Sequence, residues 1–177
     1  MTRSSWMAGM VGLVVGFAGC AGYQIGPVKP KIMEAVHTIA VPSFKNDTLE
    51  TRIEVQLASI VIKQLQQDGT YKVARDNEAD AILHGTLIEI RRRPARSVRG
   101  NVLQTREYTL ELRVKYSLVD RVTGKEIDGR TVSGTTSFFV SGSNTVAADV
   151  TQDERQALPI AAEDLAIRLV SQLSEGW

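Results

Sequence analysis

Six arginines crowd one short stretch of the chain, Arg91-Arg92-Arg93-Pro94-Ala95-Arg96-Ser97-Val98-Arg99 with Arg106 just beyond. A guanidinium is planar and permanently charged, and its fork of N–H donors matches a phosphate or carboxylate two bonds at a time. On an extended strand Arg91 and Arg93 point to one side and Arg92 to the other, so they cannot all converge on one ligand unless Pro94 breaks the strand. Arg91, Arg92, Arg93, Arg96 and Arg99 therefore form a candidate anion-binding edge. A second reading is a solvated charge run that keeps a sheet edge from pairing with other chains.

Cys20 is the only cysteine, so no intramolecular disulfide can form, and a bare thiol would be a liability in an oxidising compartment. It closes the run Phe17-Ala18-Gly19-Cys20, which resembles a lipobox, with Phe17 where Leu is usual. Upstream, Trp6 to Ala18 is uncharged and mostly apolar, and only Arg3 and the amino terminus are positive before it. That is the layout of an export signal. Its 13 residues fall short of the ~20 that cross a bilayer as a helix, and Gly9, Gly12, Gly16 and Gly19 weaken it further. We expect residues 1–19 to be a cleaved signal peptide and Cys20 to carry lipid. One acyl chain binds marginally at ~0.8 kcal/mol per buried methylene, whereas two or three give a stable anchor.

Other chemistry is hard to assemble. His37 and His84 have no partner at metal-ligand spacing, so no metal site is expected. No nucleophile elbow, P-loop or dinucleotide fingerprint occurs, which argues for no catalytic residues, no enzyme activity and no cofactor beyond the lipid on Cys20. The carboxylate pair Glu163-Asp164 falls on the polar face of a predicted helix and reads as solvated charge. Loss of residues 1–19 removes Arg3 and no acid, leaving 20 basic against 20 acidic residues. A neutral balance excludes a general nucleic-acid binder.

The elements that must position these residues follow from periodicity. Residues 20–35 form a lipidated start and tether, because Gly22, Gly26, Pro27 and Pro30 deny it regular structure. Residues 36–177 form a single domain. Val36 to Val41 predicts a strand stopped by Pro42. Asn46-Asp47-Thr48 offers caps for a helix from Leu49, whose stripe Leu49, Ile53, Leu57, Val61 and Leu65 ends at Asp68-Gly69. Tyr71 to Val73 and Ala81 to Ile90 predict strands, the second with apolar residues on both faces. We assign Ile82, Ile88 and Ile90 to the helix-covered face and Leu83 and Leu87 to a partner face. Tyr108 to Leu118 alternates strictly, and Arg121 to Lys125 turns it back into Ile127 to Val140. Thr151 and Glu154 fit a capping box for a last helix with Leu158, Ala161, Ala162, Leu165, Leu169 and Leu173 inward, kinked or restarted at Pro159. The expected fold is an α+β two-layer sandwich, a mostly antiparallel four-stranded sheet with two helices on one face.

The lipobox, Gly22-Tyr23-Gln24-Ile25, and Ile39-Ala-Val-Pro-Ser-Phe-Lys-Asn-Asp-Thr48 leading to an amphipathic helix, a long hairpin and a closing helix together resemble the LPS-assembly lipoprotein family LptE. That resemblance implies an outer-membrane lipoprotein on the periplasmic face whose domain plugs an LptD-like β-barrel and assists lipopolysaccharide assembly, with the barrel, lipopolysaccharide and the membrane as partners. Ala21, in place of the Asp that in some bacteria retains lipoproteins in the inner membrane, agrees with that location. The strand followed by Pro-x-Phe-x-Asn also appears in envelope lipoproteins of the CsgG and LpoB type, so the alternative is a binding module that regulates a peptidoglycan synthase.

Overall fold

The computed structural model describes residues 29–97, 104–142 and 147–175. The signal segment, Cys20 and most of the tether lie outside them. Six strands make one sheet: β1 Thr38–Ala40, β2 Lys45–Asn46, β3 Lys72–Val73, β4 Ala81–Ser97, β5 Gln104–Asp120 and β6 Glu126–Gly142. The order is β3-β1-β4-β5-β6, with β2 pairing β4 beyond the end of β1. The three long strands are antiparallel neighbours, while β1 and β2 lie parallel to β4, and β3 parallel to β1. The expected α+β class holds, and among the described residues six strands replace the expected four. The strand that no expectation covered is β2, Lys45–Asn46, whose two residues are too few to show a period.

Helix α1, Ile53–Asp68, buries Ile53, Leu57, Val61 and Leu65 as their four-residue spacing requires. It stops at Gly69, which takes φ +75° and returns its N–H to the Leu65 carbonyl at 3.1 Å. Leu49, expected in the stripe, is fully exposed. Asn46 accepts the Thr48 backbone N–H at 2.9 Å and its hydroxyl at 2.7 Å, so the residues read as helix caps are spent on a turn. The helix starts only after Arg52, held at φ +68°.

Helix α2, Ala147–Glu175, starts earlier than its capping-box signal and runs on through Pro159. Leu158, Ala161, Ala162, Leu165, Leu169 and Leu173 are all buried. It packs so closely on β6 that a Cβ on Gly134 would meet the Ala161 carbonyl and the Leu165 backbone; only glycine fits there. At the lower end the Tyr71 hydroxyl donates to the Leu173 carbonyl at 2.8 Å, and Ser174 donates to Asp68 at 3.0 Å, tying the helices together.

Both helices lie on one face of the sheet, and Leu110, Leu112, Val114, Tyr116 and Leu118 of β5 point into the core beneath them. The assignment of faces on β4 is reversed from the expected one up to Ile88, whereas Ile90 packs against the core on the helix-covered side as expected. Leu83 and Leu87 are 0% exposed and belong to the core, while Ile82 and Ile88 lie on the opposite face. Their basis as a partner face is therefore gone: with apolar residues on both sides of β4, alternation alone could not say which side the helices cover.

Candidate functional site

A β-bulge interrupts the β4–β5 ladder between Leu87 and Glu89. Leu87 stands opposite Val114, Glu89 opposite Arg113 and Ile90 opposite Leu112, so Ile88 is the extra residue and the alternation reverses after it. Below the bulge odd-numbered residues of β4 face the helices; above it Ile90 and Arg92 share the side of Leu110 and Leu112. Glu89, Arg91 and Arg93 then fall on the helix-free face, opposite Arg113, Glu111 and Thr109.

That register builds a charge ladder. Arg91 donates to one oxygen of Glu89 through Nε at 3.0 Å and Nη2 at 2.6 Å, and Arg113 donates through Nη1 to the other oxygen at 3.1 Å. Arg93 faces Glu111 at 3.7 Å. The two guanidiniums hold the Glu89 carboxyl below the usual carboxylate range. Three arginines against two glutamates leave this patch one positive charge in excess, with the Arg91, Arg113 and Arg93 side chains 41%, 38% and 60% exposed.

The structure divides the sequence cluster. Arg92 passes to the helix side and pairs with Glu154 of α2 at 2.9 Å. Glu154 is buried; desolvation pushes its carboxyl up, against the pull of Arg92 and with a smaller push from Glu50. Arg96 stands opposite Glu107 after a second irregularity between Pro94 and Arg96. Its side chain, Arg99 and Cys20 lie outside what the structure describes. Arg91 and Arg93 are thus brought together and Arg92 is not. Arg113 joins them although sequence reading placed it only on the polar face of β5; the signal is opposite charges on facing strands, visible once register is known.

Elsewhere the polar groups serve the fold. Asp164 of the Glu163-Asp164 pair accepts the Thr135 backbone N–H at 2.9 Å and pairs with Arg168 at 3.0 Å, so it caps a site on the outer strand β6. Tyr116 donates to Asp128 at 2.8 Å, and burial first, then that carboxylate, pushes its hydroxyl up. A groove of about 220 Å³ between the helices is lined by Ile60, Lys63, Gln64, Gln67, Glu163 and Ile167. Among the described residues, His, Cys, Asp and Glu side chains form no metal-binding group, and no helix is long and apolar enough to cross a membrane.

The family model described as LptE, lipopolysaccharide-assembly, matches residues 36–173. No curated protein matches the chain. Among solved structures, a minor lipoprotein from Acinetobacter baumannii is 21% identical, covering 78% of this chain and 91% of its own, with a TM-score of 0.50. Uncharacterized lipoprotein B from Nitrosomonas europaea is 15% identical over 78% of this chain and 83% of its own, TM-score 0.51. The hypothetical protein CT253 from Chlamydia trachomatis reaches a TM-score of 0.54 at 9% identity, covering 79% and 96%. At these identities the likeness concerns the fold: the two-helix sheet sandwich recurs with little shared sequence.

Proposed function

The chain belongs to the LptE lipopolysaccharide-assembly family, and from that premise we propose that it is an outer-membrane lipoprotein that plugs an LptD-like β-barrel and assists delivery of lipopolysaccharide. Residues 1–19 are removed on export and Cys20 carries the lipid that holds the domain at the periplasmic face. The work is binding and assembly, and it asks for no covalent chemistry. The observation that carries this reading is the family match, which runs from the residues before β1 almost to the end of α2 and so takes in every strand and both helices.

The arginines fit the same reading. Arg91, Arg93 and Arg113 stand on the one sheet face that no described helix covers, where lipid A phosphates or an acidic patch of a barrel wall can reach them. A charge-assisted hydrogen bond contributes about 1.5–3 kcal/mol where water is excluded, so two or three suffice for several kcal/mol of binding.

Detergent extraction followed by pull-down of the full chain tests the partner. We expect an outer-membrane barrel to co-purify; recovery of a cell-wall synthase in its place would transfer the protein to the regulatory class of envelope lipoproteins. In the same cells Cys20→Ala is expected to abolish acyl labelling and leave an unprocessed precursor, because no second thiol exists.

A further inference from the structure

We propose that Arg91 and Arg113 are the two arms of a phosphate-binding clamp, and that Glu89 fills the clamp with its own carboxylate until a phosphate displaces it. This inference rests on the anion-binding reading of the helix-free face and goes beyond it by naming the arms, the ligand group and the competitor.

The geometry is that of an occupied anion site. The Glu89 carboxylate is shared by two guanidiniums from neighbouring strands, Arg91 gripping one oxygen with two donors and Arg113 the other with one. The bulge at Ile88 makes this possible: it puts Glu89 directly opposite Arg113, and the two-residue period of the strand keeps Arg91 on the same side. Each residue sits on a sheet backbone, so the arms are positioned by the fold, and only side chains need move for an exchange.

Charge and acceptor count favour the exchange. A carboxylate brings one negative charge and two oxygens; a phosphomonoester brings about −1.5 to −2 near neutral pH and three free oxygens. It satisfies both arms and has an oxygen to spare for Arg93, whose own partner Glu111 stands at 3.7 Å. The lost internal pairs are solvent-exposed ion pairs, which hold only weakly. Glu89, once released, faces open solvent and rehydrates. The ladder therefore resists monovalent carboxylates, which only replace like with like, and yields to phosphate.

A substitution that removes a negative charge and adds no contact should then tighten binding. Full-length protein in detergent micelles would be titrated with lipopolysaccharide, with the same lipopolysaccharide after phosphatase treatment, and with inorganic phosphate. Glu89→Gln is expected to bind phosphorylated lipopolysaccharide about three- to tenfold more tightly than the parent, in line with the release of exposed ion pairs. It should show no gain for the dephosphorylated form. Arg113→Ala should lose about tenfold. A gain with inorganic phosphate as well makes the phosphate itself the ligand; a gain with lipopolysaccharide alone makes it a lipid-borne phosphate. Thermal melting checks that each variant keeps its fold.

The reference variant Arg91→Glu/Arg93→Glu separates the two levels of the argument. If it binds like the parent, the anion-binding reading of the face fails. If it loses binding while Glu89→Gln shows no gain, or gains equally for the dephosphorylated lipid, the exchange is overturned and the face reading stands. Parent-like binding by Arg113→Ala removes Arg113 from the clamp.

Discussion

On either side of Ile88, β4 presents opposite alternation to the helices. Ala81, Leu83 and Leu87 face inward below it, and Ile90 and Arg92 face inward above it. The lower half is ordinary core strand, its inward side part of the same hydrophobic core as Leu57, Val61 and the α2 leucines, with Phe44 lying against Gly85. The upper half has an inward side that ends in an ion pair to α2 and an outward side that carries Glu89, Arg91 and Arg93. On the proposed reading one strand serves stability and then recognition, and the change of duty falls at a single extra residue. What differs is which neighbours each side chain can reach.

The comparison breaks most visibly at Leu87. Leu87→Asp puts a charge at a position with no exposure and no cationic partner, and should cost more than about 4 kcal/mol. Urea denaturation should find the domain unfolded or nearly so; a melting temperature within a few degrees of the parent would return Leu87 to the surface.

Arg92 tests the upper half from its inner side. Arg92→Ala leaves Glu154 beneath the sheet without its cation, at an expected cost of about 1–2 kcal/mol at neutral pH. Burial already holds the Glu154 carboxyl above its ordinary value, so its folded-state pKa exceeds the unfolded one. Stability from such a group is complete below the unfolded pKa and lost as pH rises through the folded value. Removing Arg92 raises that value further, so the cost of the substitution should shrink as the solution is taken down to about pH 4 and the acid protonates. An equal cost at both pH values would show that Arg92 acts through packing and not through charge.

The smallest effect belongs to the outward side. Arg93→Ala, 60% exposed with a loose partner, should change stability by no more than about 0.5 kcal/mol. The contrast with Leu87 is sharpened by chemical denaturation of the two variants under one set of conditions. A loss for Arg93 comparable to that for Arg92 would mean that the outward ladder also supports the fold.

Much of this was legible in the sequence. Strict alternation from Tyr108 to Leu118 identified β5 and its buried face, because one polar and one apolar side leave a single orientation. The stripes of α1 and α2 were equally plain in the four-residue spacing of their leucines and isoleucines. The split of Arg91 and Arg93 from Arg92 followed from the two-residue period of any strand. The inward side of β4 did not follow, since Ala81 to Ile90 is apolar on both sides and a bulge leaves no compositional mark. Arg113 was hidden for a related reason: its importance lies in what stands across from it, and register between strands is a non-local property. Leu49 matched a helical spacing, yet the Asn46 side chain had a better use in the turn that precedes the helix.

The extra residue at Ile88 also makes the count of residues as informative as their kind. Deleting it would change no charge and remove one half-exposed isoleucine, a mild edit by composition. Leu87 would then run straight into Glu89, whose partners Val114 and Arg113 are already neighbours on β5, so the ladder would close without a bulge and Arg91 and Arg93 would keep their outward side. A surface of this kind is written in phase: the same residues paired without a bulge would turn Glu89, Arg91 and Arg93 under the helices and Ile90 and Arg92 out to water, so it is the bulge, and not the isoleucine in it, that decides which side meets solvent.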